Sequence, residues 1–91
     1  QKLDYELEWA CIIGRQGRNI AVNAAEPYIF GYSVLNDFSA RDIQTEEMTC
    51  RLGPAKGKDF ATAMGPWIVT ADEITEPRNL RMQAFVNGEC W

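Results

Sequence analysis

Histidine is absent from this 91-residue chain, which excludes a Ser-His-Asp triad, a histidine general base and any histidine-ligated metal within these residues. Cysteine is scarce: Cys11, Cys50 and Cys90 are odd in number, widely spaced and without a C-x-x-C pair. That pattern argues against a disulfide framework or a zinc ribbon and fits a reducing, cytoplasmic setting. Basic residues are the minority, nine against thirteen acids for a net charge of −4. With no basic stripe to follow a phosphate backbone, nucleic acid is not an expected partner. Long apolar runs are missing too. The longest, Trp9 to Ile13, falls far short of the roughly 20 residues a membrane-spanning helix needs, so a soluble protein with no membrane partner is expected.

What is present is globular: 46% hydrophobic and 24% charged residues, enough for one small core and no more. A chain this short hides only roughly 60 to 65% of its unfolded surface. It starts at Gln1-Lys2 and runs straight into a strand pattern, without an initiator methionine or a secretory leader. It stops at Cys90-Trp91, just after a turn signal. The expectation is therefore a partial domain over residues 1–91, truncated at both ends.

Residues 4–13 (DYELEWACII) alternate acid and apolar and then turn apolar, which predicts a strand with Asp4, Glu6 and Glu8 on one face. Residues 14–19 read as a hairpin connection to a partner strand at Ile20-Ala21-Val22. Asn23 and Glu26 form a capping-box pattern with Pro27 in the first turn, predicting a short helix over 24–30 that Gly31 ends. Tyr32 to Leu35 reads as a buried strand leading to Asn36-Asp37. Ser39 opens a second capping box and a helical turn or two over 40–47. Residues 49–65 have loop composition, and loops of that length are often functional. Residues 67–70 and 80–86 read as strands, with a turn at Asp72-Glu73 between them. Asn87-Gly88 asks for a type I′ hairpin whose second strand is expected to be missing.

Without histidine, chemistry has to come from carboxylates, lysine and arginine. Glu6 and Glu8, two apart on a strand, project to the same side and could share a hard cation; a solvated strand face is the ordinary reading of that spacing. Asp37 closes an apolar strand, where a side chain is presented rather than buried, although an Asn-Asp pair also simply makes turns. Arg41 and Gln44 are three apart on a helical turn and could face one pocket or solvent. Lys56 and Lys58 lie in the glycine-rich loop, the usual place for mobile surface lysines.

Four stretches, the E-x-E within YELEWACIIG, then FGYSVLNDFSARDIQ, LGPAKGKDFATAMGPW and LRMQAFVNGE, occur in the order seen in the fumarylacetoacetate hydrolase family. The chain resembles that family over nearly all of its residues, and N-D-x-S-A-R-D-x-Q is the most specific segment. The resemblance implies a mixed α+β, mostly β fold, part of a fumarylacetoacetase-type β-roll with short helices, usually in a homodimer. It implies that Glu6, Glu8 and Asp37 ligate a divalent cation. It places Arg41, Gln44 and Lys58 around the substrate in catalytic roles, with Thr62 a further substrate-pocket residue.

Three carboxylates without histidine or thiolate suit Mg²⁺ first, with Mn²⁺ or Ca²⁺ as alternatives, rather than zinc. A small 2-oxo or diketo acid can chelate such an ion while a carbon–carbon bond breaks and an enolate departs. Lys58 and Arg41 would supply positive charge where the enolate oxygen develops, and Gln44 would orient the substrate. Family members that hydrolyse carbon–carbon bonds take a water-activating His and Glu from segments outside the matched stretch. The expected function is metal-dependent cleavage of an acylpyruvate or diketo acid in aromatic compound catabolism. A decarboxylase, isomerase or lyase on a 2-oxo acid with the same metal site, or an inactive fragment keeping only the frame, are the alternatives, and fold analogy does not choose among them.

Overall fold

The computed structural model describes residues 2–91. Strands dominate and one short helix accompanies them: β1 (Leu3–Asp4), β2 (Glu8–Ile13), β3 (Ile29–Asp37), β4 (Ser39–Ala40), α1 (Arg41–Glu47), β5 (Thr62–Met64), β6 (Val69–Thr70), β7 (Phe85–Val86) and β8 (Glu89–Cys90). The class is mixed α+β, mostly β, as expected. The chain divides into two units, one made of the residues through Glu8 with Leu35–Met64, the other of Trp9–Val34 with Gly65–Trp91.

In the first unit β1 pairs antiparallel with β4, setting Leu3 opposite Ala40 and Asp4 opposite Ser39. The last three residues of β3 pair antiparallel with β5, Asp37 opposite Thr62. Sequence composition gave no sign of β5, because the same stretch carries Gly53-Pro54 and Gly57; its three residues are a strand through pairing with β3, not through propensity. Helix α1 begins where predicted, but Ser39 does not cap it. Ala40 holds the N-cap position with no side-chain cap bond. Ser39 is instead fully buried, with Ala40 beside it at 3% exposure. The helix passes into a 3₁₀ turn, Met48–Cys50, that ends on Arg51 in the left-handed region at φ 55°.

In the second unit β2 borders β3, and β3 pairs antiparallel with β6, Gly31 opposite Thr70 and Tyr32 opposite Val69. Tyr32 is the buried aromatic here, meeting Trp9 edge to face at a centroid distance of 4.9 Å. Ser33 Oγ donates to the Trp67 carbonyl at 2.8 Å. Gly31 lies inside the strand rather than ending a helix, and a Cβ there would run into the Val69 carbonyl. The expected hairpin to residues 20–22 does not form. Gly14 N donates to the Tyr28 carbonyl at 2.8 Å, so residues between them make an excursion and β3 becomes the neighbour of β2. The helix expected over 24–30 is two 3₁₀ turns, Val22–Ala24 and Glu26–Tyr28, neither with a side-chain cap. At the end, Asn87 and Gly88 take φ 52° and 87°, the type I′ geometry predicted. Its return strand is present after all: β8 pairs with β7, Phe85 opposite Cys90. The strand foreseen over 80–86 shrinks to β7, and residues 80–84 are irregular.

Cys11, Cys50 and Cys90 are exposed and free. Among the described residues no helix is long and apolar enough to cross a membrane. Apolar surface is abundant: Val22, Leu52, Trp67 and Trp91 are all at least 70% exposed. The chain exposes 7528 Å², more than the about 6,500 Å² that two separately folded chains of half its mass would expose together. So little burial offers little to offset chain entropy. Residues 1–91 expressed alone are expected to melt without a cooperative transition, and calorimetry with far-UV circular dichroism checks this; a sharp two-state melt would show that the segment is self-sufficient.

Candidate active site

The acids gather because the chain between β1 and β2 leaves the strand ladder. Tyr5 N donates to Asp4 Oδ1 at 2.9 Å and Glu6 N to Asn36 Oδ1 at 3.1 Å, so side chains take the N–H groups that a continuous strand over 4–13 would have used. Glu6 sits in this break, Glu8 opens β2 and Asp37 closes β3. Each offers a carboxylate oxygen, all within 4.8 Å of one another, and all three are half-buried. A solvated strand face is therefore not what Glu6 and Glu8 form.

Two cations reach the cluster. Lys58 Nζ lies 2.6 Å from Glu6 Oε1 and 3.1 Å from Asp37 Oδ2. Arg41, the first residue of α1, places Nε 2.8 Å from Asp4 Oδ2 and Nη1 2.8 Å from Glu6 Oε1. Nη1 also donates to Gln44 Oε1 at 2.9 Å. Ser39 Oγ lies 3.3 Å from Glu6 Oε1 and 3.1 Å from the Asp37 carbonyl, so one hydroxyl proton is shared between the carboxylate in the break and the backbone carbonyl at the strand end.

These contacts shape the charges. Lys58 and then Arg41 hold the Glu6 carboxyl below its usual range, against the opposing effect of burial. Arg41 lowers Asp4 in the same way, helped by the Tyr5 N–H. Burial works against the Lys58 ammonium, but its bonds to Glu6 and Asp37 win and raise it. Asp4 and Glu6 are thus held as carboxylates, and Lys58 and Arg41 as cations, at neutral pH.

The donor set fits a hard divalent cation. Carboxylate oxygens on one ion with 2.0–2.6 Å bonds lie within about 5 Å of each other, which matches the 4.8 Å cluster. Four carboxylates, Asp4, Glu6, Glu8 and Asp37, stand against Arg41 and Lys58, an excess of two negative charges.

Of the other sequence candidates, Gln44 is held at the site by Arg41. Thr62 faces Asp37 across the β3–β5 pair, and directly opposed residues point to the same side of a sheet, so it lies at the edge of the cluster. Lys56 is elsewhere, lining a cavity of about 310 Å³ with Leu3, Ala40, Ile43 and Phe60.

One residue escaped sequence reasoning. Glu47, in the last turn of α1, accepts from three successive backbone N–H groups: Lys56 on Oε1 at 2.7 Å, Gly57 on Oε2 at 2.9 Å and Ala55 on Oε2 at 3.1 Å. A signal existed: an acid is disfavoured at a helix C-terminus by the macrodipole, so one there needs another use. The Gly57 N–H above all, then those of Lys56 and Ala55, hold its carboxyl below the usual 4.5 despite desolvation. A folded value below the unfolded one contributes stability above pH 4.5 that is lost as pH falls through the depressed value. The melting temperature of the full-length protein should thus exceed that of its Glu47→Gln variant above this pH, and the gap should close on further acidification. Thermal melts along a pH series measure it.

A family model described as fumarylacetoacetate (FAA) hydrolase C-terminal matches residues 1–90. A fumarylacetoacetase of Oryza sativa subsp. japonica is 52% identical over 77 residues, 81% of this chain and 18% of that protein. An oxaloacetate tautomerase of Bacillus subtilis is 40% identical over 88 residues, 97% of this chain and 29% of that protein. A 4-hydroxyphenylacetate degradation bifunctional isomerase/decarboxylase of Salmonella dublin is 37% identical over 87 residues, 96% of this chain and 20% of that protein. The chain spans less than a third of the length of each of these relatives.

Proposed function

The chain belongs to the fumarylacetoacetate hydrolase family, and from that premise we propose that the protein carrying it is a divalent-cation-dependent enzyme cleaving a carbon–carbon bond in an acylpyruvate or related diketo acid. Glu6, Glu8 and Asp37 would hold the cation, Mg²⁺ in the first place. When bound, the ion supplies Lewis-acid polarisation of neighbouring substrate oxygens. The fold would be the family's β-roll, acting as a cytoplasmic homodimer.

The residues around that site have separate tasks. Lys58 gives fixed positive charge to the enolate oxygen as it develops, in a place where water is partly excluded. Arg41 pairs with Asp4 and Glu6 through Nε and Nη1, and its planar guanidinium is suited to a substrate carboxylate. Gln44 accepts from Arg41 through Oε1, which leaves its NH₂ group to donate to a substrate oxygen. Thr62 borders the pocket. The observation carrying this reading is the convergence of three carboxylates within 4.8 Å with a lysine on two of them.

A second reading, keto–enol interconversion or decarboxylation of a 2-oxo acid at the same site, is favoured by the tautomerase and decarboxylase relatives and needs no attacking water. One experiment separates the two. The full-length protein is incubated with an acylpyruvate, fumarylacetoacetate or oxaloacetate, with and without EDTA, and products are followed by NMR. Two fragments mean cleavage; one isomer, or loss of CO₂, means the second reading. Turnover that persists in EDTA would overturn the metal requirement of both.

A further inference from the structure

We propose that Glu47 is a positioning residue for Lys58: by gathering the N–H groups of residues 55–57, its carboxylate fixes the loop from which Lys58 reaches Glu6 and Asp37. The inference rests on the role given to Lys58 above and extends it to a residue outside the charged cluster. Glu47 receives its three bonds at 2.7 to 3.1 Å, and the next residue along the chain is Lys58. Bonds to an ionised acceptor are about twice as strong as neutral ones, so Glu47 holds the loop backbone more firmly than neutral acceptors would.

Two further contacts make the loop and α1 one piece. The Gly57 carbonyl accepts from Ala40 N at 2.9 Å, immediately before the helix. A Cβ at Gly57 would come within 2.8 Å of Gln44 N, so the loop backbone lies flush against the helix. Arg41, Gln44 and Glu47 follow at spacings of three, along one side of α1. The helix therefore carries two substrate-facing residues and the clamp that sets the height of a third.

A lysine needs such a clamp because its four-carbon stem is flexible. Fixing its Cα, with the side chain only 15% exposed, confines Nζ to the neighbourhood of two carboxylates. A displacement of about 1 Å at a catalytic group can cost about 100-fold in rate, so release of residues 55–57 would register in turnover although Glu47 touches no substrate.

The test uses the full-length protein and its Glu47→Gln variant, which keeps side-chain size but turns an NH₂ group onto backbone donors. Expected are about tenfold faster amide exchange at residues 55–57 and about tenfold faster reaction of Lys58 with an amine-modifying reagent, read by peptide mass spectrometry. Mg²⁺ affinity should stay within about twofold, kcat should fall about tenfold and KM should hold. On a Lys58→Met background the same substitution should cost no further kcat, whereas a purely structural role would add its full cost again. Unchanged Lys58 reactivity, or additive losses in the double variant, overturns the proposal. If the wild type turns over no 2-oxo acid, the enolate reading falls, and Lys58 reactivity with the exchange at 55–57 still decides the positioning role. Should Glu47→Gln not fold, Glu47→Asp, which keeps the charge but shortens the reach, is judged by the same reactivity.

Discussion

Lys58→Met is expected to lower kcat of the full-length protein by about 100- to 1000-fold with little change in KM, the cost of removing a donor aimed at a developing oxyanion. Methionine keeps the length and apolar stem of the side chain, so the loss is of charge rather than packing. The ammonium sits on Glu6 and Asp37 at 2.6 and 3.1 Å, and those bonds raise its pKa above 10.5 in spite of burial. Mg²⁺ affinity in the variant should hold or tighten, because one positive charge has left the carboxylates. Calorimetry and steady-state kinetics read the two quantities separately. A normal kcat would remove Lys58 from the mechanism and leave Arg41 as the cation on Glu6.

The parts of this site that sequence patterns reveal are those governed by local spacing. Two acids two residues apart must share a side wherever the backbone is extended, and an Asn-Asp pair ending an apolar run is presented at a strand end. The capping-box pattern located α1 although Ser39 does something else: its hydroxyl bridges Glu6 and the Asp37 carbonyl. Local pattern cannot distinguish a hydroxyl that caps a helix from one that ties a strand end to a carboxylate in a strand break, because both follow the same turn.

Contacts between distant stretches were the illegible part. Strand β5 exists through three residues of β3 that precede their partners by 25 to 29 positions, and nothing in Thr62-Ala63-Met64 announces a partner. The β-branched Ile20-Ala21-Val22 looked more strand-like, yet with Gly14 bonded to Tyr28 it lies in an excursion with no ladder to join. Lys56 and Lys58 were equivalent on composition. What separates them is that three N–H groups held by Glu47 end at Gly57, directing Lys58 rather than Lys56 to the acids. The return strand β8 has too few residues to carry a strand pattern, yet two suffice to close a type I′ turn, and Trp91 N adds a bond to the Ala84 carbonyl at 3.0 Å.

Replacing Glu6 by Gln and Asp37 by Asn together is expected to weaken Mg²⁺ binding to the full-length protein at least about 100-fold, since loss even of a residue that only orients a metal ligand costs about 10- to 100-fold. The double change removes two of the three oxygens that lie within 4.8 Å. It also cancels the excess of two negative charges, so attraction at a distance goes with the coordination. The amides keep side-chain volume, which separates charge from packing. Glu8→Gln is the informative companion, because it removes one ligand while leaving both Lys58 contacts, to Glu6 and to Asp37, in place. Its affinity should fall by a smaller factor, with Lys58 still shielded from amine reagents, whereas the double variant should lose metal and shielding together. Titration calorimetry with Mg²⁺ and Mn²⁺, on proteins whose circular dichroism matches the wild type, gives the affinities. Metal binding that survives both substitutions unchanged would show that the three carboxylates are not the ligands, and would leave them as the anionic seat of Lys58 and Arg41.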